Sequence, residues 1–332
     1  MFRRLGVLVI VTAALALGVL PGAPASAGST GSTGSADGAV GVNTVTFVDR
    51  KRETPSDVTA GIAPASERRL PTTIYYPARG KAAVDGTAVP NARPRGGPFP
   101  IVLFAGGSPG TPKDYAELLQ DWAAAGYVVV APEFPVSSLA GPDEVASADL
   151  PNQSGDVRFV LRRVLGLDPS KARIPELDDD HIAVAGHSLG GQTALSLVAK
   201  CCRESRVDVA LVLAGVTDAS DGPALRRLRG PALFVHSRND RAVPYGPTRE
   251  TCATVAGWKR MLTVEDLRGI RAHITPYLGD DEYAAIVRPA TVDFLDGYLR
   301  DDTRARRRLD RVGEGTDAVT FARCRTEATN GR

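Results

Sequence analysis

Residues 178–200, DDDHIAVAGHSLGGQTALSLVAK, carry the strongest chemical signal in the chain. An apolar run enters Gly186-His187-Ser188-Leu189-Gly190 and a helical pattern follows at once, which is G-x-S-x-G in a strand–turn–helix setting. The requirement is steric. A serine on a sharp turn is pushed to the top of a sheet, and the flanking positions must be small because side chains there would meet neighbouring backbone. Gly186 and Gly190 satisfy this, and the N-terminus of the following helix favours negative charge developing beside Ser188. Ser188 is the candidate nucleophile.

A serine hydroxyl attacks poorly at neutral pH unless a base takes its proton and a third group orients that base. In this setting the acid follows a later strand and the histidine comes last. Of the chain's four histidines, His181 precedes the nucleophile strand and His187 lies inside the turn, where its side chain is expected to pack rather than catalyse. His236 ends a strand ahead of the candidate acid. His273 alone follows the last central strand, so it is the expected base. The segment PALFVHSRNDRAVPY (231–245) is a strand with a polar turn containing Asp240, the expected orienting acid; Asp218, after the preceding strand, is its competitor.

The tetrahedral oxyanion needs two backbone N–H donors. One is expected from Leu189, immediately after the nucleophile. The other is expected from the loop Ala105-Gly106-Gly107-Ser108-Pro109-Gly110, where glycines let backbone approach a reacting carbonyl and Pro109 leaves the Ser108 amide in place. A phosphate-cradling role fits this loop poorly, because it has neither G-x-G-x-x-G nor a Gly-Lys-Ser/Thr ending.

The elements that must position these residues are legible as short apolar runs. Val42–Val48 and Leu70–Tyr76 read as an initial hairpin or meander. Ile101–Phe104, Val128–Ala131, Ile182–Ala185, Val209–Ala214, Ala232–His236 and Arg260–Val264 lack polar alternation, as strands buried on both faces do. Helices are expected at Asp114–Ala125, Asp156–Leu165, Gly191–Lys200, Pro247–Val255 and Glu282–Leu299, and Glu133–Pro151 reads as a loop bordering the cleft. The alternation argues an α/β domain: a mostly parallel central sheet of about eight strands, helices on both faces and an antiparallel edge. Chemistry is then expected beyond the C-terminal ends of the strands. Only 17 residues, Gly215–Pro231, separate two of the central strands. That is too short for a large cap domain, so an open site is expected.

The ends of the chain differ in kind. Residues 1–27 read as a secretory signal: Arg3 and Arg4, the apolar run Leu5–Leu20, then Ala25-Ser26-Ala27 as a cleavage site. The run is 16 residues, short of the roughly 20 a membrane helix needs. Cleavage near Ala27 would release an extracellular protein with no stable membrane insertion. Residues 28–40 (GSTGSTGSADGAV) read as a flexible linker, and 41–332 as a single catalytic domain. The six arginines and three aspartates of 300–311 read as a solvated helix end.

The 332 residues are 43% hydrophobic and 23% charged, an ordinary globular composition. The full chain carries 40 basic and 38 acidic residues, and without 1–27 the two counts are equal at 38. That balance excludes broad electrostatic capture of nucleic acid or anionic membrane. Cys201, Cys202, Cys252 and Cys324 are four cysteines in a chain bound for an oxidising compartment. Adjacent Cα atoms lie about 3.8 Å apart, below the roughly 4.4–6.8 Å of disulfides. Both remaining pairings join the Cys201-Cys202 segment to Cys252 and to Cys324. The spacings lack the paired C-x-x-C of a zinc site.

Taken together, these residues resemble the α/β-hydrolase superfamily, and within it bacterial secreted esterases related to platelet-activating-factor acetylhydrolase, dienelactone hydrolase and the cutinase-like polyester hydrolases. The resemblance spans about residues 68–300. It rests on LPTTIYYPA, FPIVLFAGGSPG, GYVVVAPE, NQSGDVRFVL, GHSLGG and the Asp240 and His273 segments. Many relatives have His-Gly-X where this chain has Gly106-Gly107-Ser108, a departure within the oxyanion loop. The resemblance implies that the amides of Ser108 and Leu189 form the oxyanion hole, with Gly107 and His187 bordering the substrate. It implies ester hydrolysis through an acyl-enzyme with no metal or organic cofactor. The expected substrate is a small-molecule, lipid or polymer ester, and the expected state a monomer. The alternatives are an exopeptidase on the same fold and a catalytically silent extracellular binding protein.

Overall fold

Eight apolar runs anticipated as strands lie in strands of the structure, a computed structural model that describes residues 38–83, 86–139, 144–199, 203–215, 222–279 and 281–325. The strands are β1 (Val40–Asp49), β2 (Arg68–Pro77), β3 (Val89–Pro90), β4 (Phe99–Ala105), β5 (Val128–Pro132), β6 (Leu177–His187), β7 (Val207–Leu213), β8 (Ala232–Asn239), β9 (Lys259–Arg268) and β10 (Val319–Ala322). They form one sheet of ten, in the order β10-β9-β8-β7-β6-β4-β5-β2-β1-β3. The six strands from β5 to β9 in that order are mutually parallel. β2 pairs antiparallel with β5 and with β1, and β10 closes the far edge antiparallel to β9. The expected count of about eight becomes ten through β3 and β10, two short edge strands with too few residues to show a pattern.

The uninterrupted apolar runs are explained by the two cores they separate. On β4, Ile101, Leu103 and Ala105 face one core, and Val102 and Phe104 face the other, following the two-residue period of a strand. The helices are α1 (Ala116–Ala124), α2 (Glu144–Leu165), α3 (Pro169–Ala172), α4 (Leu189–Ala199), α5 (Gly222–Leu225), α6 (Tyr245–Thr254), α7 (Ile270–Leu278), α8 (Glu282–Leu299) and α9 (Thr303–Leu309). Val157, Val160, Leu161 and Val164 of α2 and Leu195 and Val198 of α4 fill the first core. Leu118, Leu119 and Trp122 of α1 and Val287, Phe294 and Leu295 of α8 fill the second. Among the described residues between β7 and β8 the helix is α5, four residues long, consistent with the absence of a large cap.

Glu133–Pro151 is not all loop. Helix α2 begins at Glu144 and runs through Pro151. Asp149 and Asp156 lie seven residues apart, two helical turns, so both carboxylates share one face. That face grips Arg68 of β2. The guanidinium donates to Asp149 at 2.9 and 2.8 Å and to Asp156 at 2.9 and 2.7 Å, all three side chains being buried. Arg52 adds a contact to Asp156 at 2.8 Å. Thr72 is paired with Pro132, the last residue of β5, so Arg68 sits beyond the C-terminal end of that strand. The cluster therefore braces the rim where the site is built.

At the other edge, Cys252 of α6 is bonded to Cys324, just after β10, with Cα atoms 5.8 Å apart. This corrects the expected pairing of each with the Cys201-Cys202 segment, which lies outside the described residues. The cause is β10, whose pairing with β9 returns the chain to α6, a contact invisible while that strand went unrecognised. Residues 300–311 are also more integrated than a solvated end. Ala305 and Leu309 of α9 are buried, Arg306 pairs with Asp301, and Arg308 bonds Asp293 at 2.8 Å.

Candidate active site

The end of β6 is where the backbone departs from ordinary geometry. Ser188 has φ +54°, a left-handed conformation that costs a non-glycine residue about 1–3 kcal/mol. The turn is held by the Ser188 amide, which donates to the Leu213 carbonyl of β7 at 2.9 Å. A Cβ on Gly186 would collide with the Gly190 carbonyl, and one on Gly190 with the Ala105 carbonyl. Helix α4 starts at Leu189. In its first turn the amides of Gly191 and Gln192 donate back to the Ser188 carbonyl at 2.9 and 3.3 Å, and the Leu189 amide, the first of the helix, has no carbonyl behind it within the helix.

Two later strand ends reach the same point. Asp240 follows β8, and its Oδ1 accepts the amides of Ala242 and Val243 at 2.8 and 3.0 Å. That fixes the carboxylate with Oδ2 toward His273, whose Nδ1 lies 2.7 Å away. His273 Nε2 lies 3.0 Å from Ser188 Oγ. With Nδ1–H donated to the carboxylate, Nε2 is the acceptor for the serine proton. Burial pushes the Asp240 carboxyl up, but the His273 and Val243 bonds and the nearby imidazoles outweigh it, leaving its pKa below the ordinary value. His273 follows β9, as expected, and belongs to the short helix α7, which was not anticipated.

The structure thus brings Ser188, His273 and Asp240 into one hydrogen-bonded chain from the ends of three strands. It separates His181, half exposed on β6 and bonded to Asp178 at 2.8 Å. His236 is buried beside the acid, donating from Nε2 to the Val243 carbonyl at 2.8 Å and lying 3.4 Å from Asp240 Oδ2. Asp218 lies outside the described residues.

The expectation that His187 borders the substrate is corrected. Its side chain is 3% exposed and turned inward, with Nδ1 2.8 Å from the Tyr115 hydroxyl and Nε2 2.9 Å from the His273 carbonyl. A G-x-S-x-G sequence gives the position of this residue but not the direction of its ring. Gly107 is beside the nucleophile, an added Cβ lying 3.2 Å from that of Ser188, but its amide is donated to Tyr115 at 2.8 Å. Tyr115, the residue capping α1 at its N-terminus, was not singled out from the sequence; only its place just beyond the glycine-rich loop hinted at it. Among the described residues no group of three or more His, Cys, Asp or Glu side chains is arranged to hold a metal ion.

Comparison with known proteins agrees with this architecture. A family model described as Chlorophyllase matches residues 87–237. Chlorophyllase-1, chloroplastic, of Citrus unshiu and of Citrus sinensis are each 34% identical to the chain over 101 residues. That match covers 30% of this chain and 29% of the plant proteins, so the chain spans less than a third of the curated relatives it matches. The solved structure of a ferulic acid esterase from Streptomyces cinnamoneus superposes with a TM-score of 0.62 at 26% identity, covering 85% of this chain and 96% of that one. The fold and these likenesses place the chain in the α/β-hydrolase superfamily, and the solved structure it resembles is that of an esterase.

Proposed function

We propose that this protein is a secreted serine hydrolase of carboxylic esters. Ser188 attacks the ester carbonyl as His273 takes its proton, and Asp240 holds His273 in the useful tautomer and faces the imidazolium that forms. The amides of Ser108 and Leu189 receive the oxyanion. The imidazolium returns its proton to the leaving alcohol. Water, activated by the same imidazole, then hydrolyses the acyl-enzyme.

The observation that carries this reading is the unbroken chain from Asp240 through His273 to Ser188, at 2.7 and 3.0 Å. The same chain weighs against a silent binding protein, which has no need of an aligned proton path. The short α5, with no larger filter beside it among the described residues, favours accessible esters over the selective entry of an exopeptidase. The named likenesses select feruloyl esters and chlorophyll as first natural-type substrates, beside p-nitrophenyl acyl esters. No helix of the described residues is long and apolar enough to cross a membrane, and release after cleavage near Ala27 completes the proposal.

Ser188→Ala should lower ester turnover by about 10⁶-fold while leaving the circular dichroism spectrum unchanged. The native protein should be labelled at Ser188 by a fluorophosphonate. Turnover retained in Ser188→Ala, or a protein that cleaves peptides and not esters, would refute the assignment.

A further inference from the structure

Behind the proposed catalytic chain lies a second hydrogen-bonded chain that the mechanism does not use. It runs from the Gly107 amide to the Tyr115 hydroxyl (2.8 Å), on to His187 Nδ1 (2.8 Å), and from His187 Nε2 to the backbone carbonyl of His273 (2.9 Å). We propose that Tyr115 and His187 are positioning residues: a buried relay that sets the oxyanion loop and the base-bearing helix α7 at one distance from Ser188. The proposal rests on the ester-hydrolase reading and deepens it.

The proton arrangement along the relay is determined. A carbonyl only accepts, so His187 Nε2 carries the proton and Nδ1 accepts. Tyr115 therefore donates its hydroxyl hydrogen to Nδ1 and has a lone pair for the Gly107 amide. Every donor meets an acceptor, as a buried polar chain requires. Burial, with His273 alongside, holds the His187 pKa down to about 3, so its ring stays neutral. That neutrality matters because the ring centroids of His187 and His273 are 4.8 Å apart. A second cation there would oppose the imidazolium formed during acyl transfer.

The relay crosses four segments of the chain. Gly107 follows β4, Tyr115 opens α1, His187 ends β6, and His273 sits on α7. Tyr115 packs edge-on against Phe104, with centroids 4.8 Å apart, and His187 lies 4.9 Å from Tyr277, whose hydroxyl bonds the Val235 carbonyl at 2.9 Å. An added Cβ on Gly107 would stand 3.0 Å from the Tyr115 oxygen and 3.1 Å from His187 Nδ1, so the loop lies tightly against the relay and a side chain there would press on it.

The test is steady-state kinetics on a p-nitrophenyl ester, with thermal melting of each variant. Tyr115→Phe keeps the ring and removes the oxygen. It should lower kcat by about 10- to 100-fold with KM within about twofold, because a loosened donor and base act on the transition state and not on substrate capture. His187→Phe should lose at least as much, and the Tyr115→Phe/His187→Phe pair no more than His187→Phe alone, as expected of residues acting as a unit. His187→Gln, whose amide can still donate to the His273 carbonyl, should recover part of the loss, and it carries the test if Tyr115→Phe does not fold. A Tyr115→Phe enzyme with wild-type kcat, or losses that add in the double variant, overturns the relay. Turnover that survives Ser188→Ala in the same assay overturns the underlying reading instead.

Discussion

Two buried clusters of charged and polar groups stand at the same rim of the sheet, and they treat their carboxylates in opposite ways. In one, Arg68 is clamped by Asp149 and Asp156 through four hydrogen bonds. In the other, Asp240 faces only backbone amides and imidazoles. Yet burial, aided by the second carboxylate, pushes the Asp156 pKa up despite Arg68, whereas the bonds at Asp240 prevail over burial and leave its pKa low. A full cation beside a carboxylate is thus no guarantee of an easily ionised acid. Depth and crowding by like charge decide as much as pairing does. The first cluster fixes every proton and braces α2 against β2. The second leaves one proton, on Ser188, with somewhere to go.

The contrast can be broken most sharply at Asp240. Asp240→Asn keeps the shape and removes the charge that selects the His273 tautomer; ester kcat should fall about 10⁴-fold with little change in melting temperature. Arg68→Met should do the reverse. It strands two buried carboxylates and should cost about 3–5 kcal/mol in urea unfolding, with kcat per folded molecule nearly unchanged. Adding Asp149→Leu and Asp156→Leu to that variant should restore much of the loss, since an apolar cluster needs no pairing.

The smallest effect concerns acid. The folded-state pKa of His187 is depressed to about 3, so below about pH 6.5 the unfolded chain takes a proton that the folded chain refuses. Stability present above that pH should fall as pH falls toward 3, by at most about 1.4 kcal/mol per pH unit from this group. Buried His236, also depressed, acts in the same direction, and Asp240 adds to the loss only below the ordinary carboxyl range. Urea midpoints between pH 7.5 and 4.5 check the slope, which His187→Gln should flatten.

Much of the site was legible because its geometry is written locally. Gly186 and Gly190 mark the turn, and strand order singles out His273 among the histidines and narrows the acid to Asp240 or its competitor Asp218. What escaped depended on distant contacts. Helix α2 persists through Pro151 while Asp149 and Asp156 meet Arg68, some 80 residues earlier. Helix α7, with Pro276 inside it, carries breakers that mask its pattern. The Cys252 pairing requires β10, four residues whose only cue is the strand they join. A packed His187 was expected, but its partner Tyr115, 72 residues away in sequence, was not.

The bond between Cys252 and Cys324 closes a covalent ring around β9, α7, α8 and α9. A protease cutting any exposed turn inside that ring would not release the segment bearing His273. The nicked molecule would remain one particle, held by sulfur on one side and by the sheet on the other, and would come apart only once reduced and denatured.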